Sequence, residues 1–113
     1  MLDPIAYKIL SAPELRQMRQ DGFFDGSPVD VADGYIHLSR RSQLAATLDK
    51  HFRHVDGLML AAVDLSLLGD TVRWEPARGG QLFPHIYGPL PIAAVVSVAP
   101  LERNPDGSVR LPA

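Results

Sequence analysis

The chain opens with a segment in which apolar and polar residues alternate, residues 5–10, and this two-residue period is typical of a β-strand. Ser11 and Glu14 follow it with the spacing of a capping box, with a proline between them in the first turn. The pattern therefore predicts a helix that starts there, runs to about Gln20 and stops near Gly22.

Residues 21–34 hold three glycines, one proline and four aspartates, a composition that predicts a long loop with at most one short strand. The segment DGYIHLS, residues 33–39, is read as extended. A second helix is predicted over residues 41–53, with Ser39 as its cap and an inner stripe of leucines and one phenylalanine at i, i+4 and i+8.

The rest of the chain reads as strands. Residues 57–65 are apolar on both faces, which indicates a central strand, and a second central strand is predicted for residues 92–101. Between them we predict a strand at 71–75, a turn at 76–80 and an extended segment at 82–90, and after them a tail at 102–113 with a Pro-Asp-Gly turn and otherwise little structure.

This order of elements favours one α+β domain over residues 1–113, with a core at about 5–101, a mainly antiparallel sheet and two helices toward the N-terminal half. A chain of 113 residues is long enough for one core of normal size but too short for two. We therefore see no reason to divide it.

Composition and charge narrow the class of protein. The chain is 46% hydrophobic and 21% charged, as expected of a globular protein, and its longest apolar runs are far shorter than the ~20 residues that cross a bilayer. No leader-like segment opens it and it has no cysteine, so we expect a cytoplasmic protein with no membrane contact. A net charge of −2 disfavours broad nucleic-acid binding.

Two segments carry the candidate chemistry. Tyr35, His37 and Ser39 share one face of the extended segment DGYIHLS, and His85 and Tyr87 share one face of FPHIYG. If both segments lie in one sheet, two imidazoles and two phenols converge on one cleft. Histidine is the usual acid–base group near neutral pH, but a partly buried histidine bonded to a backbone carbonyl explains either segment alone.

Weaker signals lie nearby. Glu75 can act as a base or stabilise a developing cation, or can form a solvated ion pair with a neighbouring arginine. Arg78 and the two glycines after it can form an anion-binding nest or a simple turn. His51 and His54 are three apart on the predicted helix and near Asp56, but they complete no known ligand set, so a surface pair is favoured and no metal is expected.

With DGYIHLS, the segment WEPARGGQLFPHIYGPL at 74–90 and the intervening HF and VDL, the chain is identified as a member of the bacterial family catalogued as domain of unknown function 952. The resemblance runs from about Tyr7 to Leu101. The run from IHLS through a helix to VDL is also similar to RNA 2′-phosphotransferases of the ADP-ribosyltransferase superfamily, which implies a split, mainly antiparallel, ADP-ribosyltransferase-like sheet.

This resemblance implies a cleft that binds or processes NAD or an ADP-ribose-type nucleotide, with NAD as a substrate. It assigns His37, His85 and Glu75 as catalytic, with Glu75 or His85 at the C1′ centre, and Tyr7, Tyr35, Ser39, Arg78 and Tyr87 as ligand-binding. The first strand has Tyr7 and Lys8 where the superfamily has His-Gly-Thr or an arginine. That departure leaves open a non-catalytic ligand-binding or interaction module on the same fold, as the alternative to a transferase or NAD-processing enzyme.

Overall fold

The structure is a computed structural model that describes residues 4–111, except for the side chain of Arg78. The helices are α1 (Ala12–Asp21), α2 (Pro28–Asp33) and α3 (Leu44–His51). The strands are β1 (Ile5–Ser11), β2 (Phe23–Phe24), β3 (Ile36–His37), β4 (Leu58–Asp64), β5 (Val72–Pro76), β6 (Leu82–Ile86), β7 (Leu90–Pro91), β8 (Val95–Pro100), β9 (Glu102–Arg103) and β10 (Val109–Arg110). None of these helices is long and apolar enough to cross a membrane.

Two three-stranded sheets, in the orders β1-β4-β8 and β3-β6-β5, form the framework. Every pairing within them is antiparallel. The sheets meet where Tyr7 N donates to Ser39 O at 2.8 Å and Ser39 N donates to Tyr7 O at 2.9 Å. The predicted α+β class with antiparallel sheets is thus confirmed, and the narrower likeness to the ADP-ribosyltransferase fold stays a prediction.

The predicted capping box opens α1. Glu14 N donates to Ser11 Oγ at 3.2 Å, and Ser11 N donates to Glu14 Oε1 at 2.9 Å. The helix ends at Gly22, whose φ of 84° is left-handed and whose N–H donates to Met18 O. Both ends of this helix agree with the sequence prediction.

The long loop predicted at 21–34 is wrong over residues 28–33, because these residues form α2. Proline at the first helical position and left-handed Gly34 after the last one are the same start and stop signals that predicted α1. Only β2 agrees with the prediction of one short strand. The described residues therefore contain three α-helices, not two.

Ser39 is not the cap of α3. A 3-10 turn, Arg41–Gln43, precedes the helix, and Arg40 N donates to Gln43 Oε1 at 2.9 Å to close it. Ser39 instead lies at the junction of the two sheets, so its backbone is committed to Tyr7.

The second predicted central strand is an edge strand. Residues 92–94 form a 3-10 turn, and β8 pairs within its sheet with β4 alone, so Val96 is 56% exposed. The tail is also more ordered than predicted, because β9 and β10 pair around the Pro-Asp-Gly turn. Arg103 ties this hairpin to the segment after α3 by donating to the carbonyls of Phe52 and Val55.

Buried side chains cover both faces of the sheet β1-β4-β8. Leu10 and Val63 belong to a cluster that includes Met18 of α1 and Ile86 of β6, whereas Ile9 packs in a second cluster with residues of α3. The alternation along β1 thus sends one set of residues toward the second sheet and the other toward α3.

The contrast between β4 and β8 gives a test of the topology. Val63→Thr places a hydroxyl at a fully buried position and should lower the free energy of unfolding by about 1–3 kcal/mol. Val96→Thr, on the exposed edge strand, should change it by less than ~0.5 kcal/mol. Urea denaturation of both variants measures this, and equal losses would contradict the edge position of β8.

Candidate functional site

Strands β3 and β6 place two histidines directly opposite each other. Their register pairs His37 with His85 and Ile36 with Ile86. The isoleucines are buried on one face of the sheet, so the histidines share the other, where their ring centroids are 5.4 Å apart. The alternation in DGYIHLS and FPHIYG therefore places both histidines on the same face of the sheet, as predicted.

The two tyrosines complete a cluster of four rings. The ring centroid of Tyr35 lies 4.2 Å from that of His85 in a stacked arrangement, 4.7 Å from that of His37 and 5.2 Å from that of Tyr87. Arg73 lies over the outer ring, with its guanidinium carbon 5.0 Å from the centroid of Tyr87. The two segments singled out in the sequence thus meet in space, while the roles assigned to their residues stay predictions.

A buried carboxylate that the sequence analysis did not identify holds His37 in place. Asp30 is 1% exposed, and its Oδ1 lies 2.6 Å from His37 Nδ1 and accepts from His37 N at 3.1 Å. Its Oδ2 accepts from Lys8 Nζ at 2.8 Å and from Ser27 N at 2.8 Å. Asp30 therefore links β1, the start of α2 and β3.

The surroundings of Asp30 fix its charge. Burial by itself raises the pKa of a carboxyl group, but the hydrogen bond from His37 and the charge of Lys8 outweigh it and hold the pKa of Asp30 well below its usual value. The carboxylate is therefore ionised at neutral pH, and Lys8, which is 6% exposed, is its buried counter-ion.

Gly26 lets the loop before α2 close over this carboxylate. A Cβ on Gly26 would lie 2.8 Å from the Cβ of Asp30, closer than two such carbons approach in proteins, and its φ of 120° is positive. A side chain at this position would therefore displace Asp30.

The second ring nitrogen of His37 also meets a carboxylate. His37 Nε2 lies 3.0 Å from Asp33 Oδ2, and the two side chains are 34% and 45% exposed. Both ring nitrogens of His37 therefore have a carboxylate partner.

His85 has a carboxylate partner of its own. Its Nδ1 lies 2.8 Å from Glu75 Oε1, which also accepts from Tyr87 Oη at 2.7 Å. The hydrogen bonds from His85 and Tyr87 lower the pKa of Glu75, and the same contact with Glu75 raises the pKa of Tyr87. Glu75 thus acts as a fixed acceptor for two residues of the ring cluster.

A cleft of about 740 Å³ lies beside these residues. His37 and His85 line it, together with Tyr7 and Ser39 of the predicted set. Tyr35 and Tyr87 of the ring cluster, and Glu75 beside it, are not among the residues that line the cleft. The further lining residues include Lys8, Glu14, Asp30, Asp33, Thr47, Lys50, His51, Phe52 and Phe83.

Ser39 and Tyr7 form the part of the cleft wall where the sheets join. Ser39 Oγ lies 3.3 Å from Thr47 Oγ1, and the Arg41 guanidinium carbon lies 6.0 Å from the centroid of the Tyr7 ring. The lining of the cleft therefore includes the hydroxyl groups of Ser39 and Thr47 and the aromatic ring of Tyr7.

Two other predictions concern the turn at 78–80 and the pair of His51 and His54. Residues 78–80 form a 3-10 turn in which Gly80 N donates to Ala77 O, so this amide is used within the turn, and the side chain of Arg78 lies outside the described residues. The helical pairing of His51 and His54 is wrong, because α3 ends at His51 and His54 has a φ of 64°. Within residues 4–111 no three His, Cys, Asp or Glu side chains are grouped to hold a metal ion.

The two aspartates of α2 provide a matched test. Asp30→Asn leaves Lys8 buried without a counter-ion and should lower the free energy of unfolding by about 3–5 kcal/mol. Asp33→Asn, at an exposed position, should change it by less than ~0.5 kcal/mol. Chemical denaturation measures both, and adding Lys8→Met to Asp30→Asn should restore part of the loss.

The pH dependence follows from the lowered pKa of Asp30. A carboxyl group whose pKa is lower in the folded state contributes stability above its unfolded pKa of about 3.9 and loses that contribution as the pH falls through its folded pKa. Wild type should therefore lose stability below about pH 4. Asp30→Asn should show a shallower loss over that range, and parallel curves would contradict the assignment.

Comparison with known proteins places the chain in a family. Protein CC0527 from Caulobacter crescentus, a structural genomics target, has a crystal structure that is 43% identical and matches with a TM-score of 0.89 over 94% of this chain and 93% of that one. Its solution NMR structure is also 43% identical, with a TM-score of 0.83 over 94% and 91% of the two chains. No curated protein matches. A family model described as protein of unknown function (DUF952) matches residues 9–98, and the chain belongs to this family.

Proposed function

We propose that the cleft binds a nucleotide of the NAD or ADP-ribose type and that His37, held by Asp30, is its main polar contact. One observation carries the proposal: an imidazole fixed by a buried carboxylate lies on the wall of a large cleft. A histidine oriented in this way through Nδ1 holds its Nε2 in a defined direction, where a ligand that replaces Asp33 would meet it.

The dimensions of the cleft support a ligand of this size. Its volume of about 740 Å³ falls within the range of roughly 300–1,000 Å³ that small-molecule sites occupy. The side chains that line the cleft also suit a nucleotide. Lys50 offers a cationic group and His51 an imidazole for phosphates, Tyr7 and Phe52 offer aromatic surface for a base, and Ser39 offers a hydroxyl for a ribose.

The surroundings of the ring cluster modify the roles that the resemblance implies. Tyr35 stacks on His85, and Tyr87 donates to Glu75, so we assign these tyrosines to positioning the histidines instead of stacking on a base. Glu75 is likewise a partner of His85, and we assign contact with the C1′ region to the two histidines. In an NAD-processing reaction water would attack C1′, nicotinamide would leave with the electron pair of its bond, and the water proton would pass to a histidine.

A second candidate is a binding module without catalysis. It is favoured by the two carboxylates on His37, because both ring nitrogens are already in contact with side chains of the protein itself. Ligand binding without product formation would support this candidate over the enzyme.

Thermal shift with matched histidine variants tests the proposal. NAD or ADP-ribose should raise the melting temperature of wild type, because a ligand that binds only the folded state stabilises it. His37→Asn should remove most of that shift. His54→Asn should retain it, since asparagine tolerates the positive φ at residue 54 and this residue does not line the cleft.

The same samples separate the two candidates. Wild type incubated with NAD is analysed by chromatography for released nicotinamide, and release that is lost in His37→Asn would favour the enzyme. The nucleotide proposal fails if neither NAD nor ADP-ribose shifts the wild-type melting temperature, or if both variants lose the shift equally.

A further inference from the structure

We infer that Asp33 occupies the place of the ligand's anionic group and that the ligand binds by displacing it from His37. The inference deepens the proposed function, since it rests on ligand binding in the same cleft and names the chemical group that meets His37. That group is a phosphate or carboxylate oxygen.

The contact between Asp33 and His37 resembles a contact between a ligand and its site. Asp33 Oδ2 lies 3.0 Å from His37 Nε2, on the ring nitrogen that is turned away from buried Asp30. Both Asp33 and His37 line the cleft. An oxygen of a bound anion would occupy the same position and accept the same N–H.

The two aspartates differ in how firmly they are held. Asp30 is 1% exposed and accepts from Lys8, Ser27 and His37, whereas the Asp33 side chain is 45% exposed. An exposed ion pair contributes little to stability, so a rotation of Asp33 into solvent is inexpensive. Asp33 is also the last residue of α2 and directly precedes left-handed Gly34. The helix therefore does not continue beyond it.

The charges around His37 indicate which kind of ligand would replace Asp33. With Asp33 in contact, Lys8 is paired with Asp30, and the His37 ring contacts both Asp30 and Asp33. When Asp33 leaves, Lys8 keeps its counter-ion, but His37 Nε2 loses its carboxylate partner. A neutral ligand would not replace the lost negative charge, whereas an anionic oxygen restores both the contact and that charge.

Other charged groups around the cleft fit this reading. Lys50 of α3 also lines it and favours an anion. The carboxylate of Glu14 also lines the cleft, but it is held by the backbone N–H of Ser11 at the start of α1.

The test compares Asp33→Ala with Asp21→Ala. Asp21 is a matched control because it is also the exposed last residue of a helix, α1, before a left-handed glycine, and it does not line the cleft. The probes are inorganic phosphate, ADP-ribose and uncharged adenosine. Binding is followed by the NMR signals of the His37 ring and by calorimetry, and circular dichroism verifies that each variant folds.

Asp33→Ala should bind phosphate and ADP-ribose roughly three- to fivefold more tightly than wild type, the size expected for removal of one competing exposed ion pair. Adenosine affinity should not change, and Asp21→Ala should behave as wild type. Adding His37→Asn to Asp33→Ala should abolish the gain for phosphate.

The result that overturns the inference is an Asp33→Ala variant that binds phosphate no more tightly than wild type. If ADP-ribose still binds wild type through His37 in that case, the proposed function stands and the displacement by an anion is wrong. If phosphate binding tightens while neither NAD nor ADP-ribose binds any variant, the displacement is supported and the nucleotide proposal fails.

Discussion

The buried pair of Lys8 and Asp30 is the interaction on which the arrangement of this site depends. Lys8 comes from β1 of one sheet, and Asp30 comes from α2 and contacts His37 on β3 of the other sheet. Removing two charges from water costs several kcal/mol unless other hydrogen bonds compensate. Here the carboxylate has donors on both oxygens, and Lys8 Nζ also donates to the His37 carbonyl at 3.1 Å.

This network explains how β3, a strand of only two residues, can fix the position and ring orientation of His37. β3 pairs with β6 at Ile36 and His37, and Leu38 N donates to Pro84 O just beyond it. Ile36 and Leu38 are 2% exposed and anchor the chain from the core side. The orientation of the His37 ring then comes from Asp30 and from the tilted ring of Tyr35, so neither the strand nor the Lys8–Asp30 pair acts alone.

The sequence predicts features that depend on nearby residues. The capping box of α1 and the opposite faces of DGYIHLS follow from spacing, and both are present. The meeting of His37 with His85 needed only the further assumption that two polar-faced segments share a sheet. The proline at the start of α2 and Gly34 after its end are local helix signals, but the glycines and aspartates around them are equally typical of a loop.

Features that depend on distant residues were not predictable in this way. Lys8 and Asp30 are 22 positions apart, and a lysine in an alternating strand normally marks the solvent side. The apolar run after Pro91 has the composition of a central strand, yet strand order, which hydropathy does not encode, makes it an edge. Glu75 is a candidate from the sequence, but whether it lines the cleft depends on how β5 lies beside β6.

The spacing within the segment from Gly26 to His37 is a signature for finding relatives. Gly26 leaves room for Asp30, Asp33 ends the helix, and His37 follows with both ring nitrogens on these aspartates. An insertion between Asp30 and His37 would change the position of the ring relative to its two carboxylates. A distant sequence that keeps this interval should therefore also keep a lysine in the middle of its first strand.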